Sequence, residues 1–544
     1  MAKTKYIFII GGVLSGVGKG VSAASIGRIL KNKGLNVSAI KIDPYINVDA
    51  GTMNPIEHGE VYVTEDGDET DQDLGNYERF LDTNIYSINY MTTGRVYLSV
   101  IEKERSMYYK GKCVEVVPHI PMEVVGRIKA AAKKAKADVM IIEIGGTAGE
   151  YQNILFLEAA RMMKLKEPDN VVFVLVSYLP IPGHLGEMKT KPTQYAARTL
   201  NSSGIQADFI IARGRLELDK PRREKLALFC GLRSEKDVIA APDVKTIYEI
   251  PDLFEKQNFS NLLLKKLQLK PRPKDGKKWR DFIRKMKKAE TVIKIAVVGK
   301  YFGTGNFTLA DSYISVIEAI KHACWHNGLK PELTWLDSEE YEKNPAKLKE
   351  LSSYNALIVP GGFGARGVEG IISAIRYVRE HKIPFLGLCY GMQLASIEFA
   401  RNVLGLARAH TTEIDAKTPE PIIHINNKQA ENVKNNHYGG TMRLGAYKCV
   451  LVKGTRVFKA YGGKKIVSER HRHRYEFNND YRERLTKAGM QIAGVNPEAN
   501  LVEIIELKDH PYFVASQFHP EFKSRPLEPH PLFVGLIKAA KLSL

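Results

Sequence analysis

Cysteine is scarce in this sequence and badly placed for cross-linking. The 544 residues include five, Cys113, Cys230, Cys324, Cys389 and Cys449. The number is odd and no two lie close together, which excludes a disulfide framework and a zinc-ligand spacing and points to a reducing compartment. No apolar run approaches the roughly 20 residues of a membrane helix. The apolar stretch in MAKTKYIFIIGG leads straight into glycines, without a signal-peptide cleavage pattern. A cytoplasmic protein with no membrane partner is therefore expected. Low-complexity segments and repeats between the halves are also missing. Acid is short relative to base, 61 Asp+Glu against 80 Lys+Arg, for a formal charge of +19. Such a field attracts polyphosphates or nucleic acid, but the excess is spread along the chain and reads mostly as solvated surface. The basic run Arg470–Arg474 (RHRHR) has no interleaved aromatics of the kind single-strand binders use. In an extended segment its arginines share one face and suit a small carboxylate. No nucleic-acid partner is expected.

What is present is alternation. Tyr6–Ile10, Val37–Ile42, Val139–Ile144 and Val171–Val176 are short apolar runs, and Val21–Lys33 is amphipathic. Strand and helix patterns in turn predict an α/β fold with a mostly parallel sheet flanked by helices. The stretch Leu269–Thr291 is rich in Pro and Lys and reads as a linker ending in a short basic helix. The pattern then restarts at Lys294–Val298, Asn355–Val359 and Pro384–Leu388. The expected division is a domain over 1–268, a linker over 269–292 and a second α/β domain over 293–544.

Gly11–Gly20 (GGVLSGVGKG) lies between a strand and a helix. Glycines let backbone N–H groups approach a phosphate, the helix N-terminus favours anions, and Lys19 adds a charge. A P-loop ordinarily follows its lysine with Ser or Thr, whose hydroxyl helps hold magnesium. Here Gly20 stands in that place, so other oxygen ligands are needed. Asp66, Asp68, Glu69, Asp71 and Asp73 crowd one segment, and Glu143 ends an apolar strand, where α/β ligand sites form. Lys41 ends another strand. In KTKPTQ, Lys189 and Lys191 stand beside Thr193 and Gln194 and suit a second triphosphate.

In the second half, Cys389 sits in GLCYGMQ directly after a strand. This is the thiol form of a strand–turn–helix elbow, which exposes a nucleophile. Such a nucleophile needs a base and a group to orient it. His519 and Glu521, in QFHPE, are placed two apart and are expected on one side of a strand. A glycine turn, Pro360–Gly364, suggests an oxyanion hole from the Gly362 and Tyr390 N–H groups.

Taken in order, GGVLSGVGKG, KIDPYINVDAGTMNPIEHGEVYVTEDGDETDQDLGNYERF, EIGGT, KTKPTQ, PGGFGARGVEG, GLCYGMQ, GGTMRLGA, ERHRHRYE and QFHPEF closely resemble the CTP synthases over essentially the whole chain. The resemblance implies a P-loop-like amidoligase domain followed by a flavodoxin-like class I glutaminase domain. It implies ATP on Ser15, Gly16, Val17, Gly18, Lys19 and Gly20, with Asp243 and Val244 on the adenine side and Asp73 and Glu143 on Mg2+. Lys19 and Lys41 would stabilise the transferring phosphoryl group. UTP or CTP would meet Ser15, Glu150, Tyr151, Gln152, Lys189, Thr190, Lys191, Pro192, Thr193, Gln194 and Lys225. Glutamine would meet Gly362, Tyr390, Gly391, Met392, Gln393, Glu413 and Arg474, with Cys389, His519 and Glu521 catalytic. The family is a homotetramer, activated by GTP and inhibited by CTP, and carries ammonia through a tunnel; His58 is read as lining it. Two departures stand out. After EIGGT the family continues Val-Gly-Asp-Ile-Glu-Ser, where this chain has Ala148–Asn153 with Gln152 in place of an acid. Tyr390 replaces the commoner Leu or Phe, a change expected to matter little. Another P-loop amidoligase with a fused glutaminase, such as a cobyrinic-acid amidating enzyme, is the alternative; IDPYINVDAGTM and KTKPTQ argue against it. A catalytically dead scaffold or a nucleotide switch is disfavoured by the intact set of candidate catalytic residues.

Overall fold

A computed structural model describes residues 3–544 except 55–57, 184–185, 274–275, 301–302, 305–306, 309, 426–428, 430 and 432–438. Part of the segment IEHGE thus lies outside the described residues. The chain forms two units, Met1–Asp49 with Asp73–Ile283, and Ala50–Gln72 with Arg284–Leu544.

The first unit is built on seven strands: β1 (Lys5–Gly12), β2 (Val37–Asp43), β3 (Tyr90–Thr92), β4 (Val139–Ile144), β5 (Val171–Tyr178), β6 (Phe209–Gly214) and β7 (Val238–Pro242). They lie in the order β3-β2-β4-β1-β5-β6-β7 and every pairing is parallel. The apolar runs are buried along almost their whole length because helices cover both faces. Helix α1 (Lys19–Asn32) buries Ile26, Ile29 and Leu30. Two further helices matter to the site, α2 (Asp73–Leu81) and α3 (Lys191–Ser202).

The short basic helix expected at the end of the linker is present as α4 (Lys277–Lys288), but it is docked rather than free. Its Trp279, Phe282, Ile283 and Met286 are buried. Trp279 packs against Phe80 and Tyr248, and the Arg28 guanidinium lies 5.3 Å from its ring centroid. Four apolar residues at helical spacing among the lysines were the sign of this docking.

The second unit holds a nine-stranded sheet: β8 (Val292–Gly299), β9 (Lys330–Asp337), β10 (Ala356–Val359), β11 (Phe385–Leu388), β12 (Arg443–Leu451), β13 (Ile466–His473), β14 (Met490–Val495), β15 (Val502–Leu507) and β16 (Phe513–Ser516). The order is β9-β8-β10-β11-β16-β15-β14-β12-β13. The first five strands are parallel, as the sequence pattern predicts. The last four extend the sheet antiparallel. Helices α5 (Ile314–His326) and α6 (Tyr390–Asn402) pack within this unit.

The linear division expected from sequence differs from these units at residues 50–72, which pack with the C-terminal half. A hairpin pairs Tyr62–Val63 with Glu69–Thr70. The arginines of RHRHR seize it. Arg470 donates to the Glu65 carboxylate at 2.9 Å and to the Tyr62 hydroxyl at 2.8 Å, and Arg472 donates to Glu69 at 2.8 Å. The Tyr62 hydroxyl donates to Phe522 O at 2.9 Å. The arginine/histidine alternation does place the two residue types on opposite faces, but the first two arginines hold carboxylates of the chain itself.

Candidate active sites

Each unit carries a cluster of candidate site residues, and each cluster is assembled at strand ends. In the first unit the glycine loop after β1, the end of β2 and the turn after β4 lie at the carboxyl edge of the parallel sheet, where such folds bind ligands. Val13, Gly16 and Gly18 adopt positive φ, and α1 begins at Lys19. The buried Lys19 reaches across to donate to Gly146 O at 2.8 Å. Burial lowers its pKa, opposed by the nearby Glu143 carboxylate.

Lys41, from the end of β2, sits among acids. It bonds to Asp73 and, at 3.0 Å, to Glu143, with Asp43 at 3.7 Å. Burial favours a protonated Asp73, but the Lys41 charge overrides it and holds the group below its ordinary value. Glu143, fully buried and facing the Asp73 charge, is pushed up to about 7. Tyr77 of α2 donates to Glu143. Gly20 now has a reason. A Cβ there would stand 1.9 Å from Asp73 Oδ1. The Asp73 carboxylate, from the start of α2, thus occupies the space that a side chain at position 20 would take.

The remaining first-unit candidates divide. Arg213 lies against Gly18, donates to Ala241 O at 3.0 Å and approaches Asp243 at 3.4 Å, so it ties the glycine loop to the Asp243–Val244 segment. Glu150 accepts from the Thr147 N–H at 2.8 Å and from Gln152 at 3.1 Å, and Tyr151 is exposed. Lys191 and Pro192 open α3. Gln194 donates to Thr190 at 3.1 Å, and Lys189 pairs with Glu187 at 2.7 Å. Thr193 is fully buried and its hydroxyl is bonded to Ser177, so it positions the helix rather than facing an open site. Ser15 and Lys225 are exposed. Sequence reasoning missed Tyr77 and Arg213, which lie in no motif with a chemical meaning of its own.

In the second unit Cys389 takes φ 50° and ψ −97°, a strained positive-φ conformation at a sharp elbow between β11 and α6. Gly391 makes the turn possible, because a Cβ there would stand 2.4 Å from Val359 O. Gln517 Nε2 lies 3.7 Å from Sγ. His519 and Glu521 are not in a strand: β16 ends at Ser516 and Pro520 begins a tight 3-10 turn, Pro520–Lys523. The turn still brings Glu521 Oε1 to 2.7 Å from His519 Nδ1, leaving Nε2 for the thiol side. Burial opposes a charged imidazole, but the Glu521 and Cys389 charges override it and raise His519 to about 10.

Cys389 stands between two cavities. One of about 470 Å³ includes Gly362, Gln393, Glu413, Arg474 and, from the displaced N-terminal segment, Gly51–Met53. The other, about 110 Å³, includes Glu60, Val61, His519 and Glu521. Glu413 and Arg474 are thus brought to one cavity, whereas Gly391 and Met392 are buried in the start of α6. Arg474 donates to Gln429 at 3.0 Å and to Thr441 at 2.9 Å. Glu60 caps α5, its carboxylate accepting the Ser315 N–H at 3.1 Å and the Ser315 hydroxyl. His58 Nε2 lies 3.7 Å from Asp71. Among the described residues no cluster of three or more acidic, His or Cys side chains forms a metal cage, and no helix is long and apolar enough to cross a membrane.

Comparison with known proteins agrees along the chain. A family model described as CTP synthase N-terminus matches residues 5–269, and one described as glutamine amidotransferase class-I matches 308–539. A protein named CTP synthase from Caldanaerobacter subterraneus subsp. tengcongensis is 50% identical over 537 residues, 98% of each chain. CTP synthases from Thermococcus gammatolerans and Pyrococcus furiosus are 49% and 50% identical over 540 residues, 99% of this chain in each case. With likeness of that depth along nearly its full length, the chain belongs to the CTP synthase family.

Proposed function

We propose that the protein makes CTP from UTP, ATP and glutamine, giving ADP, phosphate and glutamate. The reading is carried by one observation: Cys389, on its elbow and between the His519–Glu521 pair and a cavity that holds Glu413 and Arg474, belongs to a chain whose other unit gathers Lys19, Lys41, Asp73 and Glu143 beside a phosphate-type loop.

In the glutaminase unit, glutamine lies in the larger cavity, its α-amino group toward Glu413 and its α-carboxylate toward Arg474, where a guanidinium fork fits. The Cys389 thiolate attacks the amide carbon. Its oxyanion is met by the Gly362 and Tyr390 N–H groups. His519, held by Glu521, gives a proton to the leaving nitrogen and ammonia departs. Water then hydrolyses the thioester to glutamate, with His519 accepting its proton.

In the amidoligase unit, the uracil 4-oxygen takes the γ-phosphoryl group of ATP. Phosphate then becomes the leaving group when ammonia attacks carbon 4. Lys19 and Lys41 neutralise charge developing on the phosphoryl oxygens, and the backbone of Ser15–Gly20 positions the chain of phosphates. Asp73 and Glu143 fit a magnesium ion, since they are hard oxygen donors crowded enough that Glu143 resists ionisation without added positive charge. Asp73 and Glu143 would hold the ion, which would supply positive charge to the phosphate groups. Lys189, Gln194 and Lys225 are proposed for UTP.

Regulation by GTP and CTP and a homotetrameric state are proposed from family resemblance. The exposed apolar side chains Ile101, Met107, Tyr108, Val117 and Met122 support assembly. A cytoplasmic location accords with five unpaired cysteines. The direct test is incubation with UTP, ATP, magnesium and glutamine. CTP formed stoichiometrically with glutamate is the expected product; glutamate without CTP would overturn the reading.

A further inference from the structure

The loop expected to carry one oxyanion donor, Pro360–Gly364, contains three glycines, and glycine imposes little conformation of its own. Its shape must come from neighbours. Three side chains from separate parts of the second unit converge on its last peptide groups. The Tyr390 hydroxyl donates to Gly364 O at 2.7 Å. Lys300 Nζ also bonds to Gly364 O, donates to Phe363 O at 3.2 Å, lies 3.3 Å from the Tyr390 hydroxyl and stands 4.6 Å from the centroid of its ring. Glu413 accepts the Gly364 N–H at 2.8 Å. Tyr390 and Lys300 are both buried. The Tyr390 ring also lies beneath Gly362, where a Cβ would meet ring carbon Cδ1 at 3.5 Å.

We infer that Tyr390 is a positioning residue for glutamine hydrolysis: its backbone supplies one oxyanion donor, and its hydroxyl fastens the loop that supplies the other. The inference rests on the proposed roles of Cys389 as nucleophile and of the Gly362 and Tyr390 N–H groups as donors. It replaces the expectation that the change from Leu or Phe matters little. A phenyl or isobutyl group could fill the same space beneath Gly362, but neither could hold the Gly364 carbonyl. One residue thereby sets the spacing between two donors, and an oxyanion hole works only when its donors stand about 2.7–3.1 Å from the developing charge.

Two reagents separate this role from a general disturbance. Glutamate γ-semialdehyde forms a hemithioacetal: the Cys389 Sγ–carbon bond forms, the carbonyl π bond becomes an alkoxide, and the hole must hold that alkoxide. Iodoacetamide alkylates the same thiolate with loss of iodide and forms no oxyanion. In full-length Tyr390→Phe, glutaminase kcat should fall about tenfold with KM within about twofold of wild type, the signature of a transition-state interaction. Semialdehyde inhibition should weaken by a similar factor. Iodoacetamide alkylation and CTP formation from added ammonia should be unchanged. Lys300→Met, which frees the same carbonyl from its other partner, should give the same pattern. Unchanged kcat and unchanged semialdehyde inhibition in Tyr390→Phe would overturn the inference, as would a parallel fall in iodoacetamide reactivity. If Cys389→Ala kept glutaminase activity, the underlying assignment of the nucleophile would fail instead.

Discussion

Both sites bury a cationic side chain against carboxylate beside a glycine turn, yet their resting electrostatics are opposite in kind. In the amidoligase unit, Lys41 and Lys19 face Asp43, Asp73 and Glu143, and the acids are out of balance: Asp73 is held ionised while Glu143 is pushed up to about 7. That site is frustrated until further charge arrives. In the glutaminase unit, Glu521, His519 and Cys389 form a matched relay in which burial is overcome and the imidazole is raised to about 10. That pocket is balanced before any ligand enters. A site that must assemble a polyanion can remain unsatisfied at rest. A site proposed to attack through its own thiolate gains from having its charges settled beforehand.

The largest expected effect tests whether the two sites are separable. Cys389→Ala should lower glutamine-driven CTP formation by about a thousandfold or more. The same protein should still make CTP with ammonium chloride, increasingly as pH rises and neutral ammonia grows. Lys19→Ala should fail with either nitrogen source, because it damages phosphoryl transfer itself. Assays of both mutants with both donors give four numbers. If Cys389→Ala is dead with ammonia while still folded, the comparison collapses into a single site.

A subtler break concerns Gly20. Restoring Ser at this position would match the usual P-loop more closely, and a sequence-based argument would expect it to be harmless. The close approach of Asp73 predicts the reverse, since even a Cβ must displace the carboxylate that Lys41 holds. Gly20→Ser should lower ammonia-dependent synthesis by roughly ten- to a hundredfold, given how steeply catalysis depends on positions near 1 Å. Basal glutaminase activity should not move. Synthesis at the wild-type rate would show that Asp73 is free to relax and that the frustrated arrangement is not required.

The same contrast explains what was legible in the sequence. The glutaminase relay is compact: an elbow around Cys389 and two residues of one turn, so three short motifs sufficed. The strand expected for His519 and Glu521 gives way to a 3-10 turn because Pro520 cannot donate to a ladder. The amidoligase set comes from the ends of β1, β2 and β4 and the start of α2, and only the parallel-sheet edge connects them. Lys41, Asp73 and Glu143 were reached through resemblance and strand position, while Tyr77 and Arg213 had no local signature. Residues 50–72 were invisible as part of the second unit because docking by Arg470 and Arg472 is a long-range charge match. An acidic segment and a basic segment some 400 positions apart carry no periodicity that pairs them.

The smallest expected effect lies behind the balanced pocket, on the histidine face of β13. Glu476 is buried beside Arg443 at 3.7 Å, His473 at 3.6 Å and Glu503, with His471 nearby bonded to His473 at 2.8 Å. Both histidines are pushed well below their ordinary value by burial and then by the Arg443 charge, and so stay neutral. Burial, only partly offset by Arg443 and reinforced by Glu503, raises Glu476 from 4.5 to about 8. The folded state therefore holds a proton that the unfolded chain has released. The resulting stabilisation is complete below pH 4.5 and is lost as pH rises through 8, at no more than about 1.4 kcal/mol per pH unit. Glu476→Gln keeps the shape and removes the titration. Melting curves of the two proteins at pH 5, 6.5 and 8 should nearly coincide at the lowest pH and separate upward, with the mutant a few degrees more stable at pH 8. Parallel melting points across that range would mean that Glu476 is ionised throughout, and that the charge balance of the glutaminase unit does not extend beyond its catalytic relay.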